Sequence, residues 1–482
     1  MRSQLVRIIV TATAVSTMAS GLGGSVAFAN ELTAFAVMPA NTFAEGPTSG
    51  QFAGPGAGGN ALPLVNKQPV QGISAVLAGP TDDTFYVMPD NGFGAKTNSA
   101  DALLRVYAIQ PDFTVWTRRG LRGSGTISPA SFRSGRPLPS FNADSFISLR
   151  DPDHRLGFSL VADQATYPNG DNSVPVDPSI SAGRLLTGAD FDIESVRVDR
   201  RGHFWFGEEF GPFLVETDAR GRVLRSEVHL PNVVLPGSTS TGAEVMSPQN
   251  PFLGSLTPNL NGSNGFEGMA VSPSGRFLFP LLEGTVAGDD SINGTTRKNL
   301  RISKFDTQKQ SYTGDTWIYQ LEPDGTNIGD MTAINDHQFL VIERNGVTAT
   351  STSGTPFKKI FIADLTGVPS GGFASKTELV DLMNISDPHD LNGDGATVFT
   401  FPYVTIESVL ILDASTLLVI NDNNYPGSAG REFGVPDNNE FIVIHTAPLL
   451  DERACREAAI HSRSDHPDGG WHLGSLCRAA GD

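Results

Sequence analysis

Five segments of this chain repeat one pattern: an acid or amide, alternating or continuous apolar residues, a tight turn, and a second apolar run that ends in acid. The copies start at Gln71, Glu194, Glu267, Asp330 and Glu407. They end at Asp90-Asn91-Gly92, Glu208-Glu209, Glu283-Gly284, Glu343-Arg344 and Asn421-Asp422-Asn423-Asn424. Apolar runs flanking a Gly, Asn, Asp or Ser turn read as β-hairpins. In an antiparallel pair the two ends away from the turn lie side by side. The pattern therefore predicts that Glu194 faces Glu208 or Glu209, Glu267 faces Glu283, Asp330 faces Glu343, and Glu407 faces Asp422. Each hairpin is expected to carry acid at its open end.

The starts are spaced by 123, 73, 63 and 77 residues. The first gap is nearly double the others, and Asp144-Ser-Phe-Ile-Ser with Leu156 to Asp163 reads as a degenerate unit inside it. The expected fold class is thus all-β, a β-propeller of six blades, because a long all-β period with many Gly and Pro turns suits radial repetition of small sheets. The strand around Thr33 to Met38 is expected to pair with Glu440 to His445 and close the ring. Gln71 is taken as the first unit's counterpart of Glu194.

Three regions follow. Residues 1–29 read as a signal peptide: Arg2 and Arg7, an apolar stretch from Ile8, then Ala27-Phe28-Ala29 as a small-x-small cleavage site. Residues 30–446 hold the propeller and 447–482 form a polar tail. That tail contains both cysteines, Cys455 and Cys477, which are expected to form one disulfide in an exported chain. The expected location is secreted or periplasmic. No later apolar run is long enough to span a bilayer.

Loss of Arg2 and Arg7 with the leader would take the formal charge from −18 to −20. Such a surface repels phosphate backbones and argues against nucleic acid as a partner. It favours cations. A small anionic or ester substrate and a monomeric chain are the expectations.

Converging carboxylates and amides make a hard-oxygen site of the kind Ca²⁺ prefers. A single acid at a hairpin end is ordinarily solvated or caps its own turn; aligned copies point to a shared ion or ligand site. The metal-ligand candidates are Asp90, Asn91, Glu208, Glu209, Glu283, Asp330, Asp422 and Asn423. The catalytic candidates are Glu194, Glu267 and Glu343 as ligands or general base and Arg344 as a phosphate clamp. Arg197, Lys96, Arg301 and Lys304 are further cations that could serve an anionic substrate or sit in ion pairs. Asp390-Leu-Asn392-Gly-Asp394-Gly395 matches the first half of a calcium loop but lacks the acid at position twelve, where Phe401 stands. It reads equally as an Asx-rich turn.

Covalent catalysis finds no support. There is no Gly-x-Ser-x-Gly elbow, because Pro426 precedes Gly427-Ser428-Ala429-Gly430. No His-Glu-x-x-His and no phosphate-cradling Gly-x-x-x-x-Gly-Lys-Ser/Thr occur either.

Asp190-Phe-Asp-Ile-Glu194-Ser, Phe206-Gly-Glu-Glu-Phe-Gly-Pro212, Gly265-Phe-Glu-Gly-Met-Ala270, Val341-Ile-Glu-Arg-Asn345 and Asn421-Asp-Asn-Asn424 resemble the phytase-like family, labelled "esterase-like activity of phytase". The resemblance covers roughly residues 65 to 446. It implies a propeller and calcium-assisted phosphoester hydrolysis, since β-propeller phytases hold several Ca²⁺ ions with channel-mouth carboxylates. A calcium-dependent lactonase or esterase, and a non-catalytic extracellular binding module, remain the alternatives.

Overall fold

The computed structural model describes residues 30–54, 62–168, 173–294 and 298–449. The expected signal peptide and the Cys455–Cys477 pair lie outside the described residues. No helix among the described residues is long and apolar enough to cross a membrane.

Each repeated hairpin opens an antiparallel sheet. The inner strands are Ile73–Ala78, Ile193–Val198, Phe266–Val271, Asn327–Ala333 and Ser408–Asp413. Each packs against the next in this order, and the last packs back on the first. The ring therefore closes over five sheets, not six. The second sheet continues through Phe204–Glu208, Phe213–Thr217 and Val228–His229. The third continues through Phe277–Leu282, Asn299–Asp306 and Ser311–Gln320, and the fourth through Gln338–Arg344, Lys358–Asp364 and Ser375–Asp381. Radial sheets around a shared axis are the propeller architecture.

The expected sixth unit fails for a local reason. Phe146–Ser148 pairs with Arg105–Asp112 as an outer strand of the first sheet, and Val161–Asp163 is a 3₁₀ turn. The residues between them lack the second alternating run that a hairpin needs. The double spacing thus reflects an elaborated outer edge.

Ring closure follows the expectation. Glu31–Met38 runs antiparallel to Asn439–His445, with Phe35 opposite Ile442, and becomes the outer strand of the fifth sheet. It also touches Thr126–Pro129 at the edge of the first sheet. The two chain ends of the propeller are thereby tied together.

Period-two side-chain alternation supplies the core. Along Phe204–Glu208, Phe204 and Phe206 pack toward Ala75, Met88 and Val106 of the first sheet, while Trp205 packs toward Met269 and Leu278 of the third. Similar clusters fill the remaining sheet interfaces, including Leu340 and Ile342 against Val409 and Val419. Apolar burial between neighbours, rather than around one centre, holds the ring.

The inner strands approach closely where side chains are small. A Cβ added at Gly329 would meet the Ile406 carbonyl oxygen at 1.8 Å and the Glu407 Cα at 3.3 Å. Both are backbone atoms of the neighbouring sheet and cannot yield like a rotamer. Gly329→Ala is expected to destabilise the fold by about 3 kcal/mol, read as a lower urea midpoint. An unchanged midpoint would show that the fourth and fifth sheets can separate at no cost.

Candidate functional site

The inner strands share a defect that aims acids inward. Pairing skips one residue between Ile73 and Ala75, between Ile193 and Ser195, and between Phe266 and Gly268, and skips two between Ile328 and Met331. The skipped residues include Ser74, Glu194, Glu267 and Asp330. In the fifth sheet Ile420 pairs with Ser408, yet its carbonyl also accepts from the Glu407 N–H at 3.3 Å. A β-bulge re-aims a side chain that regular pleating would place elsewhere. Ser74, not Gln71, is therefore the first unit's counterpart of Glu194. Gln71 instead bonds Asn423 at 2.8 Å and the Pro39 carbonyl at 2.9 Å.

The second strands supply the facing set. One step beyond the pairs Ile73–Pro89, Ile193–Glu208 and Phe266–Leu282 stand Asp90, Glu209 and Glu283; Arg344 and Asp422 take the equivalent places in the fourth and fifth sheets. Because neighbouring strand residues face opposite ways, the residue before each of these turns from the channel. That rule separates the sequence candidates.

Glu208 points away: its carboxylate accepts from the amides of Phe210, Gly211 and Phe213 at 2.7–2.8 Å. Glu343 also points away, to Lys376 at 2.5 Å and the Tyr319 hydroxyl at 2.9 Å. Asn423 ties Gln71, the Asp437 carbonyl and the Gly72 amide. Asp330 lies further from the open end, paired with Arg197 at 2.8 Å and accepting from the Val409 amide at 3.1 Å. These four have their acceptors occupied by the protein itself. Asn91 backs the site, donating to Asp192 at 2.8 Å.

What remains is a cluster of buried Glu194, Glu209, Glu267, Glu283 and Asp422 with half-buried Asp90, joined by buried Glu407 and Asp192. Asp192 was missed as a candidate, although the spacing of Asp190-Phe-Asp192-Ile-Glu194 repeats an acid at every second residue. Asp192, Glu194 and Glu209 each offer one oxygen within 4.8 Å of the others. Glu209 is 4 % exposed, and its Oε1 has no hydrogen-bond partner. An unpartnered buried carboxylate oxygen is costly unless something neutralises it.

Arg344 is the cation inside the cluster. Its guanidinium donates to Glu267 at 3.1 Å, Glu283 at 3.2 Å and Glu407 at 3.0 Å. Burial disfavours its charge, but these glutamates outweigh that and hold its pKa above the usual value. A side chain so committed is a neutralising post rather than a free phosphate clamp. Arg197, Arg301 and Lys304 are committed elsewhere, to Asp330, to Asp289 and to the Phe277 ring. Lys96 sits 4.9 Å from the Phe210 ring centroid.

One guanidinium does not balance so many acids. Burial, then Asp422, raises Asp90 well above the carboxylate range; burial and Asp192 do the same to Glu194. Burial and Glu283 raise Glu209, and burial and Glu407 raise Glu267. Asp192 and Asp422 are pushed by burial to about 6, and Glu407 by burial and Asp422 to about 8. Such a set keeps protons or takes a cation. Gly72 leaves room for two of these acids, since a Cβ there would lie 3.1 Å from Asp90 Oδ1 and 3.2 Å from Asp422 Oδ1.

The half calcium loop is a separate, exposed turn. Asp390 accepts from the Gly395 amide at 2.9 Å and Asp394 from the Ala396 amide at 2.7 Å. Those are Asx-type contacts of the loop with its own backbone.

Residues 68–425 match the family model described as "Phytase-like: Esterase-like activity of phytase". An uncharacterized secreted protein of Arthroderma benhamiae is 27 % identical over 184 residues, which is 36 % of this chain. The match spans 32 % of that protein's length. Among solved structures, a luciferin-regenerating enzyme shares 12 % identity over 78 % of this chain and 92 % of its own, at a TM-score of 0.31. The Neurospora crassa Pan2 WD40 domain shares 9 % over 86 % of this chain and all of its own, also at 0.31. At such TM-scores the likeness carries no weight, and the ring rests on the strand order above.

Proposed function

This chain belongs to the phytase-like family, and from that premise we propose that it is an exported, divalent-cation-dependent hydrolase of ester bonds acting at the acidic end of its channel. The observation that carries the reading is the orphaned Glu209 Oε1 beside Asp192 and Glu194. A three-carboxylate oxygen set with an unmet acceptor fits a hard cation such as Ca²⁺. Asp192, Glu194 and Glu209 would hold the ion, with Asp90, Glu283 and Asp422 adding charge nearby. When bound, such an ion supplies Lewis-acid polarisation of the ester oxygen and cancels negative charge.

The protein's own side chains do the rest. Glu267 and Glu407, both bridged by Arg344, are placed to accept a proton from the attacking water. Arg344 keeps their charge tolerable once they ionise. In the overall reaction water oxygen bonds to the acyl or phosphoryl centre and the ester bond to the alcohol oxygen breaks. One water proton goes through the glutamate to the departing alcohol.

Phosphoester hydrolysis is one form of this reading and carboxylate-ester or lactone hydrolysis the other. With Arg344 committed to three glutamates, a phosphate dianion would be met by the bound cation and by Lys96, whose charge acts on Asp192, whereas a carboxylate ester or lactone would need neither beyond the cation. The test is turnover of phytate, p-nitrophenyl phosphate, phenyl acetate and a lactone, each with calcium and with chelator. Activity on an ester that chelator abolishes and calcium restores is expected. Glu209→Gln should lose at least 100-fold in calcium affinity while melting as a folded protein, because the swap removes a ligand charge but keeps its shape. Calcium binding unchanged in Glu209→Gln would reject this site.

A further inference from the structure

Beside the carboxylate cluster lies a pocket of about 500 Å³, within the range of small-molecule sites. Asp90 is a wall shared by both, since it lines the pocket and also faces Asp422 in the cluster. The other walls include Phe93, Tyr425, Val404, Thr350, Asn424 and the turn 426–430. Of the residues lining it, Asp90 alone is charged, and it is an acid.

The surrounding cations are engaged elsewhere: Lys96 donates to the Gln249 carbonyl at 3.4 Å and stands 4.9 Å from the Phe210 ring centroid. Arg431 donates to Glu440 at 2.5 Å, to the Tyr403 hydroxyl at 2.8 Å and to the Thr400 carbonyl at 3.1 Å. Lys358 is fully buried and donates to the carbonyls of Asn345 and Val404. Arg344 is held by its three glutamates. The turn itself is fixed: buried Asp437 accepts from Ser428 Oγ and the Gly430 amide, both at 2.7 Å. Phe93 and Tyr425 stand with ring centroids 6.1 Å apart, giving a rigid aromatic side.

A polyanion would enter this pocket against Asp90, with no basic side chain among the described residues that line it. An uncharged ring would sit beside Phe93, Tyr425 and Val404 without repulsion from Asp90. We propose that the pocket binds the uncharged, ring-bearing part of the substrate, so that the protein selects neutral aryl-type esters over inositol polyphosphates. This rests on the hydrolase reading of the adjoining cluster and adds to it the substrate class.

Gly427 gives a clean test. Its backbone needs no positive φ, and an added Cβ would meet only the Asn424 carbonyl oxygen, at 3.6 Å. Gly427→Trp narrows the pocket and Gly427→Lys brings it a cation, both with the melting temperature expected to hold. The binding arm uses acetanilide, a stable analogue of phenyl acetate, and myo-inositol hexakissulfate, a stable analogue of phytate, in ligand-observed NMR with calcium present. Acetanilide should bind the wild type and weaken at least tenfold in Gly427→Trp. The hexakissulfate should bind only Gly427→Lys. In the turnover arm, kcat/KM on phenyl acetate should fall at least tenfold in Gly427→Trp, through KM. Hexakissulfate binding to the wild type in preference to acetanilide overturns the proposal, as does phenyl acetate hydrolysis indifferent to Gly427→Trp. If acetanilide binds as expected but no ester is turned over, the pocket assignment stands and the hydrolase reading falls.

Discussion

Calcium added to chelated protein at pH 8 raises the melting temperature, and the gain shrinks as the pH is lowered to 5. The reason is the crowding of acids that are buried together. Asp192 and Asp422 have folded-state pKa values of about 6, and Glu407 of about 8, against about 4 in an unfolded chain. Between those limits the folded state binds more protons than the unfolded one. The contribution of these acids to the stability of the ion-free protein is therefore fullest below pH 4 and is lost as pH rises through 6 to 8. A two-unit shift on one such group corresponds to about 3 kcal/mol. A cation that binds the ionised cluster of the folded form alone reverses the loss, adding about 2.7 kcal/mol at 100 times its Kd. Differential scanning at pH 5, 6.5 and 8, with calcium and with a strong chelator, reads both slopes. Identical melting in all conditions would mean that the cluster is neither strained when empty nor a cation site.

Arg344→Ala is the most damaging single substitution expected near the site. It leaves Glu267, Glu283 and Glu407 facing each other in a buried space without their shared donor. Removing one partner of a buried ion pair costs about 3–5 kcal/mol. The loss should ease at pH 5, where Glu407, displaced to about 8, and the raised Glu267 are protonated. The sequence reading of Arg344 as a phosphate clamp makes the opposite forecast: full stability and a higher KM for phosphoesters alone. Urea midpoints at pH 5 and 8, set beside KM values, separate the two. A stable variant with only a raised KM would return Arg344 to the substrate.

Local pattern was enough to find the hairpins, the all-β class and the gathering of acid at their open ends. Apolar alternation and turn residues are properties of short segments, so Glu194, Glu267 and Glu283 could be read directly from the chain. The closure by Glu31–Met38 was legible too, because both end strands carry a strongly apolar run. Which residue at each strand end enters the channel was not legible. Nothing local to Glu208-Glu209 or to Glu343-Arg344 says which side chain faces inward, and only the register of the second strand decides it. That register goes with bulges at Ser74, Glu194, Glu267 and Asp330, which re-aim side chains and lie where neighbouring inner strands meet in close packing. The same packing set the number of sheets at five, since the long first gap in the sequence could hold either a sixth hairpin or an elaborated edge. Sequence thus determined which residue types meet at the axis. Tertiary structure decided which of them meet, because orientation within a strand is fixed by neighbours distant in the chain.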